Sequence, residues 1–401
     1  MSNHKGHVVV LTYPAQGHIN PLATLATNHY TVKSIHATTV GVEPISDGYD
    51  EESFKSVGSR TLSELISKFK DSASPVNCLV YDSLLPRALD VARQFGIYRA
   101  VFLTNSASVC SMYWHIDHGQ LTLLVKQETE PVLFPGLPSL GLSDLPSFLA
   151  QPSSNSAYLA VIMENFGCLD KNDWVFCNSS EEMEDKLVKA MSGLWPLVMV
   201  GPMVPSAYLD QQINGDIAYE TKPPKSVIYV SFGSMSDITT KQADEIACGL
   251  IASNIYFLLV AKDSINNLPI EFINSAQERG LVVPWCNQLE VLAHQAVACF
   301  VTHCGWNSTL EALSLGVPMV AMPQWSDQPT NAKFVEELWQ VGVKAKKNKE
   351  GLVTRDELEM CIKEVTVGKR TCNRAVRLGG SSDKNLNEFV VKLVRGEVKK
   401  A

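Results

Sequence analysis

The chain has 401 residues, of which 45% are apolar, and it carries a formal net charge of −8. This length predicts two domains with sizeable cores, and the acidic balance argues against bulk binding to nucleic acid or to an anionic membrane. Ten scattered cysteines form no C-x-x-C pair, and no run approaches the ~20 apolar residues of a membrane span, so we expect a cytoplasmic protein. We also expect a monomer, although the sequence does not determine the oligomeric state.

Short β-branched runs alternate with amphipathic stretches, a pattern typical of doubly wound α/β sheets. The predicted strands are 7–13, 77–82, 99–104, 173–178, 226–233, 256–261, 280–285, 298–303 and 317–323. Helical patterns cover 88–96, 242–254 and 385–394. A segment rich in proline and polar residues lies between the two groups of strands. It predicts domains at 1–203 and 225–401 with a linker at 204–224, and a terminal helix at 385–396 that packs back on the first domain.

Polar side chains follow four strands of the second half. Ser234 follows the first, Trp285 to Gln288 the third, His303 to Ser308 the fourth, and Gln324 to Gln328 the fifth. Ligands of open α/β sheets bind outside the carboxyl ends of the strands, so these loops predict one binding rim.

The loop after the fourth strand suits a diphosphate. Ser308-x-x-Glu311 fits a capping box at a helix start, and Gly305 lets the backbone turn tightly beside a ligand. Free N–H groups at such a start favour an anion, and His303 and Asn307 could add donors. Singly, each feature also fits a plain cap or a core histidine.

Other residues of this rim suit the rest of a nucleotide sugar. Trp285 offers a face for a base, Glu311 could accept from ribose hydroxyls, and Asp327 with Gln328 at another helix start suits sugar hydroxyls. Trp285 alone could equally be a core residue, but four polar loops together favour a ligand.

The segment from Trp285 to Gln328 resembles the signature box of plant secondary-product UDP-glycosyltransferases, and its 44 residues match that box without a gap. The stretches PAQGHINP, CLVYD, VGPMVPS and YVSFGS also occur in the family's order. The likeness is greatest to the branch with salicylate and mogrol glucosyltransferases. It implies the GT-B fold, two Rossmann-like domains facing across a cleft, with acceptor in the first and UDP-sugar in the second.

The resemblance also implies residue roles. Donor binding would fall to Ser234, Trp285, Cys286, Gln288, His303, Gly305, Trp306, Asn307, Ser308, Glu311, Asp327, Gln328 and Thr104. Among these, Trp306, Asp327 and Gln328 would hold the sugar, Thr104 would touch its 6-hydroxyl, and a closing glutamine indicates glucose. The reaction would be an inverting transfer from UDP-glucose to a hydroxyl or carboxyl of a small phenol or terpenoid.

The resemblance assigns His18 as the base and Asp82 as its orienting partner. His18 follows strand 7–13 at a helix start, and Asp82 closes strand 77–82 on the same rim. Alone, His18 could be a loop histidine and Asp82 a helix N-cap. No D-x-D pair is present, which agrees with transfer that needs no metal or other cofactor.

An apolar pocket for the acceptor should come from both domains. Its predicted lining residues are Met112, Tyr113, Trp114, Phe148, Leu149 and Trp325. Each of them could equally belong to the core.

The chain is shorter than its family, with segments apparently missing after His18, near 50–54, before Lys222 and around 368–372. The first gap predicts loss of an edge strand and threatens the position of His18. A UDP-sugar-binding protein with weak or no turnover is therefore the alternative. A nucleotide-binding oxidoreductase is disfavoured because no G-x-G-x-x-G follows a strand.

Overall fold

A computed structural model describes residues 6–28, 51–119, 131–151, 156–205, 208, 222–234, 238–261, 268, 272, 279–367 and 381–395. Among these residues, no helix is both long enough and apolar enough to span a bilayer.

The first half of the chain builds a parallel five-stranded sheet. Its strands are β1 (Val8–Leu11), β2 (Cys78–Asp82), β3 (Tyr98–Leu103), β4 (Trp174–Cys177) and β5 (Leu197–Met199), in the order β1-β2-β3-β4-β5. Strands β2 and β4 are buried along their full length, as expected for a parallel sheet covered on both faces.

Helices cover this sheet on both faces. They are α1 (Gln16–Asn28), α2 (Glu51–Lys68), α3 (Ala88–Phe95), α4 (Ala107–Asp117), α5 (Ser147–Ala150), α6 (Ser156–Phe166) and α7 (Asp185–Met191). Helix α1 contains Pro21 and is anchored by Leu22 and Leu25, which are buried against the sheet.

The second half builds a parallel six-stranded sheet. Its strands are β6 (Val227–Ser231), β7 (Tyr256–Val260), β8 (Gly280–Val283), β9 (Val297–Thr302), β10 (Met319–Ala321) and β11 (Gly342–Lys344), in the order β11-β10-β9-β6-β7-β8. Its helices are α8 (Thr240–Ser253), α9 (Gln288–Ala293), α10 (Trp306–Leu315), α11 (Gln328–Lys333) and α12 (Arg355–Val367). The chain order reverses between β9 and β6, which creates the crevice where such sheets bind ligands.

The last helix, α13 (Ser381–Arg395), packs on the first sheet rather than on the second. The ring of Phe389 meets Trp174 and Phe176 edge-on, at centroid distances of 4.9 and 5.0 Å. Leu386 and Leu393 are buried in the same cluster. The end of the chain therefore ties the two sheets together.

The α/β fold with two parallel sheets is confirmed, and all nine predicted strands are present. Strands β5 and β11 were not predicted, because each has three residues at the edge of its sheet and shows too little pattern. The linker boundaries stay a prediction, since 206–207 and 209–221 lie outside the described residues.

The four apparent gaps fall mostly where the structure gives no description. Residues 29–50, 221 and 368–380 lie outside the described part, and α2 begins at Glu51. Within the described part, β1 is an edge strand that pairs with β2 alone.

Candidate active site

Neighbouring parallel strands bring His18 and Asp82 together. Val8 to Leu11 of β1 pair in register with Cys78 to Tyr81 of β2, so the two strands end side by side. His18 is the third residue of the helix that follows β1, and Asp82 is the last residue of β2. Their side chains form a hydrogen bond of 2.8 Å between Nδ1 and Oδ2.

The surroundings of this pair fix the tautomer of the histidine. Asp82 is fully buried, and its Oδ1 accepts a 2.9 Å hydrogen bond from the N–H of Leu84. Since the carboxylate oxygens only accept, Nδ1 of His18 donates, which leaves the Nε2 lone pair facing the cleft. Asp82 is not a helix N-cap, because α3 begins six residues later at Ala88. Thr104 approaches the same Nδ1 at 3.4 Å.

His303 lies at the crevice between β9 and β6, in a slot between two glycines. A Cβ on Gly233 would lie 2.9 Å from its ring, and one on Gly305 would lie 2.5 Å from its Nε2. Any larger residue at either position would displace the imidazole. Burial lowers the pKa of His303 to about 4, so the ring is neutral at neutral pH. It can therefore offer one N–H to a phosphate but no positive charge.

Helix α10 presents its N-terminus beside this histidine, but it begins earlier than predicted. Its first residue is Trp306 and its N-cap is Gly305, so the predicted capping box at Ser308 and Glu311 is wrong. Both side chains instead bind Gln288, whose Nε2 donates to Ser308 Oγ at 2.9 Å and to Glu311 Oε2 at 2.7 Å.

Tyr229, which was not predicted, completes this network. Its hydroxyl donates to Gln288 Oε1 at 3.3 Å and lies 3.6 Å from the sulfur of Cys286, another predicted donor residue. A tyrosine in a buried strand needs a partner for its hydroxyl, and that requirement was the available signal in the sequence. The network orients Gln288 and Glu311 toward the cleft.

Glu311 has an unusual ionisation for a glutamate. Burial raises its pKa to about 7, and the hydrogen bond from Gln288 opposes part of that rise. The neutral and the charged form of Glu311 are therefore both populated near neutral pH. A ligand hydroxyl that donates to the carboxylate would favour the charged form.

Trp285 stands at the mouth of the cleft with 66% of its surface exposed. A core role for this residue is thereby excluded. An exposed indole beside a polar network provides a flat face on which a nucleobase can stack.

Asp327 and Gln328 lie at the start of α11, as predicted. Burial raises the pKa of Asp327 to about 6, opposed by hydrogen bonds that include one of 2.7 Å from Asn331. The Oε1 of Gln328 accepts from the backbone N–H groups of Gln324 and Trp325, at 2.8 and 3.1 Å. Those two donors fix the amide orientation and leave the Nε2 donors of Gln328 for a ligand.

Two predicted donor residues have their side-chain donors engaged between the domains. The indole of Trp306 is buried, and its N–H donates to the carbonyl of Asn178 at 2.7 Å, so the predicted contact of this residue with the sugar, which stays a prediction, would use its ring or its backbone. The amide of Asn307 uses one of its two N–H groups to donate to the carbonyl of Gly17 at 2.6 Å. Both contacts join the second domain to the first.

One cavity of about 1430 Å³ contains both ends of the site. It exceeds the ~300–1,000 Å³ of an ordinary small-molecule pocket, so it can hold two ligands at once. The predicted residues that line it are His18, Thr104, Ser234, Trp285, Cys286, Gln288, His303, Gly305, Trp306, Asn307, Ser308, Glu311, Asp327 and Gln328.

The predicted acceptor residues divide into two groups. Tyr113, Phe148 and Trp325 line the cavity, and the rings of the last two meet edge-on at 5.9 Å. Met112, Trp114 and Leu149 do not line it. They are buried in the core of the first domain, so their predicted role in the acceptor pocket is wrong. Successive residues of a helix point in different directions, and only one face of α4 reaches the cleft.

Comparison with known proteins identifies the family. A family model described as "UDP-glucoronosyl and UDP-glucosyl transferase" matches residues 218–381. UDP-glycosyltransferase 74B1 of Arabidopsis thaliana is 41% identical over 450 residues, with 97% of this chain and 98% of the relative covered. The chain belongs to the plant UDP-glycosyltransferase family.

Other relatives agree with this assignment. Mogroside I-E synthase of Siraitia grosvenorii is 38% identical, with 96% of this chain and 98% of the relative covered. A crystal structure of Os79 from O. sativa, in complex with U2F and trichothecene, has a TM-score of 0.86 and 34% identity, and covers 96% of this chain and all of that one. These matches confirm a glycosyltransferase with the GT-B fold, so the oxidoreductase alternative is wrong.

This UDP-glycosyltransferase is nevertheless shorter than its 74B1 relative. Its alignment with the 74B1 relative extends over 450 residues, which exceeds the 401 residues of the chain. The relative therefore contains segments that this chain lacks.

Proposed function

We propose that the protein transfers glucose from UDP-glucose to a hydroxyl or carboxyl group of a small apolar plant metabolite, with inversion at the anomeric carbon. The observation that carries this proposal is the His18–Asp82 pair, joined at 2.8 Å, with His18 lining the same cavity as the donor residues. A base with a free Nε2 thus faces the space where a sugar would lie.

The chemistry follows from that geometry. A hydroxyl acceptor gives its proton to Nε2 of His18 as its oxygen attacks the anomeric carbon, and the bond to UDP breaks; a carboxyl acceptor attacks as the carboxylate and has no proton to give. Asp82, bound to Nδ1, stabilises the imidazolium that forms. Attack opposite the leaving group converts an α-linked sugar into a β-glucoside.

The leaving diphosphate needs positive character near it. Backbone N–H groups in the first turn of α10, beginning at Trp306, and a neutral His303 would supply hydrogen bonds and a favourable helix dipole. We propose that these groups act without a resident metal or cofactor.

Donor recognition would use the remaining polar residues of the cleft. Trp285 would stack on uracil, and Gln288 with Glu311 would hold the ribose. Asp327 and the amide nitrogen of Gln328 would hold the hydroxyls of glucose. The buried carboxyl of Asp327 accepts hydrogen bonds, and the Gln328 amide nitrogen donates them. The pair can therefore accept from the O–H groups of the sugar and donate to their oxygens.

An apolar acceptor fits the other end of the cleft. Tyr113, Phe148, Leu84 and Trp325 line it with aromatic and aliphatic surface. Relatives support small aglycones: one is named flavonol 7-O-beta-glucosyltransferase and another mogroside I-E synthase. Phenols and terpenoids are therefore the acceptors to test first.

The alternative, a UDP-sugar-binding protein without turnover, depended on a displaced His18. Instead, α1 runs for 13 residues, its Leu22 and Leu25 are buried, and the His18–Asp82 hydrogen bond has ordinary length. These contacts favour turnover.

The test is a single reaction of labelled UDP-glucose with a mixture of phenols and terpenoid alcohols. Mass spectrometry should detect hexosides, and the anomeric proton coupling in NMR spectra should identify them as β-linked. His18→Ala serves as the inactive control. A UDP-dependent rise in Tm without any hexoside would support the binding protein and contradict the transferase.

A further inference from the structure

The acceptor end of the cleft contains a polar side chain without a partner. Asn165 lies at the penultimate position of α6, is 2% exposed and lines the cavity. Its Oδ1 accepts no hydrogen bond from any residue that the structure describes. A buried carbonyl oxygen without a donor is costly, and a molecule bound in the cavity beside Asn165 is one source of that donor.

Apolar side chains line the cavity at the end where Asn165 lies. The rings of Tyr113 and Phe166 stack at a centroid distance of 5.6 Å, and Val161 and Ile162 line the same end of the cavity. An acceptor molecule here would be packed by hydrocarbon and would meet Asn165 as its polar contact. A hydrogen bond in such surroundings is selective, because neither partner can exchange it for water.

Arg87 is a weaker candidate than Asn165 for the polar contact with an acceptor. Arg87 also lines it, but its guanidinium already pairs with Glu164 at 3.4 Å, and both side chains are exposed to solvent. Exposed ion pairs contribute little, and a solvated cation gives little discrimination between ligands. Asn165, one residue beyond Glu164, is buried and has an unused oxygen.

We propose that Oδ1 of Asn165 accepts a hydrogen bond from a second hydroxyl of the acceptor, remote from the hydroxyl that reacts at His18. This inference rests on the proposed glucosyl transfer and narrows its substrate class. The preferred acceptor is an apolar compound with at least two hydroxyls, one at each end of the pocket. Asn165 thus determines specificity and takes no part in bond making.

The effect should appear as selectivity between matched acceptors. Removing a hydrogen bond to a buried group that cannot turn to water changes binding roughly 10-fold to 100-fold. Two acceptor pairs are compared. Hydroquinone and phenol form the first, and the two hydroxyls of its diol are separated by one ring. 4,4′-Dihydroxybiphenyl and 4-phenylphenol form the second, and the two hydroxyls of its diol are separated by two rings. Each symmetrical diol also has a twofold statistical advantage, which is divided out.

The experiment measures kcat/KM with saturating UDP-glucose for wild type and Asn165→Leu, a change that keeps the volume and removes the oxygen. In at least one pair, wild type should prefer the diol about 10-fold or more, and the variant should lose that preference. Glu164→Gln, at the neighbouring position, should keep the wild-type ratio. A wild type without preference in either pair, or a variant that retains it, overturns the inference.

A binding measurement separates this inference from the proposed function. If no acceptor is glucosylated, the proposed function fails. Calorimetry of the same four phenols on UDP-saturated protein then decides the role of Asn165. In one pair, the diol should still bind wild type about 10-fold more tightly than its monohydroxy partner does. This difference should be absent in Asn165→Leu. Equal Kd ratios in the two proteins, or no preference in wild type, overturn the role of Asn165.

Discussion

Donor affinity should fall as the pH is lowered from 8 to 6, because the charged carboxylate of Glu311 accepts hydrogen bonds from ribose hydroxyls more strongly than the neutral acid does. Burial raises the pKa of this carboxyl to about 7 in the free protein. A ribose that donates to the carboxylate stabilises its charged form, so the pKa falls toward the ordinary value of 4.5 in the complex.

The size of the effect follows from these two values. With a free pKa of about 7, roughly 90% of Glu311 is charged at pH 8 and roughly 10% at pH 6. The apparent Kd is the intrinsic Kd divided by the competent fraction, so affinity should weaken about 10-fold between these pH values.

Isothermal titration calorimetry with UDP-glucose measures this change. UDP-glucose is the suitable ligand because its diphosphate is esterified at both ends, whereas a terminal phosphate such as that of UDP titrates near pH ~6. Glu311→Gln is the control: it has no carboxyl to charge, so it should bind more weakly than wild type at both pH values, and its affinity should change less than that of wild type between pH 6 and pH 8. Equal pH slopes in both proteins would refute the assignment of Glu311 to the ribose.

Three further changes test the catalytic pair, the glycine slot and the domain contact. His18→Ala should lower kcat about 10²–10⁴-fold while the Kd for UDP stays within a few-fold, and a matching loss of both would contradict its role as base. Gly305→Ala would place a Cβ 2.5 Å from His303, so calorimetry should show weaker UDP binding. Gly58→Ala adds a Cβ with no atom within 4 Å and should leave UDP binding unchanged. Asp144→Asn removes the ion pairs of Asp144 with Lys333 and Lys344, both of which join the two domains. Urea unfolding should show that the free energy of unfolding falls by about 1–3 kcal/mol, and an unchanged midpoint would contradict a stabilising role for this contact.

Most of the fold was predictable because the strands of a parallel sheet are apolar over their whole length. That pattern revealed β2, β4 and β9, which are buried at every position. It could not reveal β5 or β11, since each has only three residues at a sheet edge, which is too short for a recognisable apolar run. Their pairing depends on neighbours that are distant in sequence.

The binding rim was likewise predictable, because polar residues follow parallel strands that end on one side. What could not be predicted is which donor of each side chain is already used. The capping box at Ser308 fails because Gly305 ends the loop three residues earlier, and the freed glutamate turns to Gln288. The indole of Trp306 is engaged by Asn178, a residue of the other domain.

Contacts between the domains link the donor site to the base. Asn307, in the first turn of α10, donates to the carbonyl of Gly17, and the next residue is His18. A displacement of only ~1 Å at a catalytic group can lower a rate ~10²-fold, so the segment that we propose for diphosphate binding also helps to position the proposed base. The same contacts explain why a chain shorter than its relatives keeps His18 beside Asp82. The position of His18 depends on Asp82, on Leu22 and on Asn307, all of which the structure places, and not on the segment after Asn28 alone.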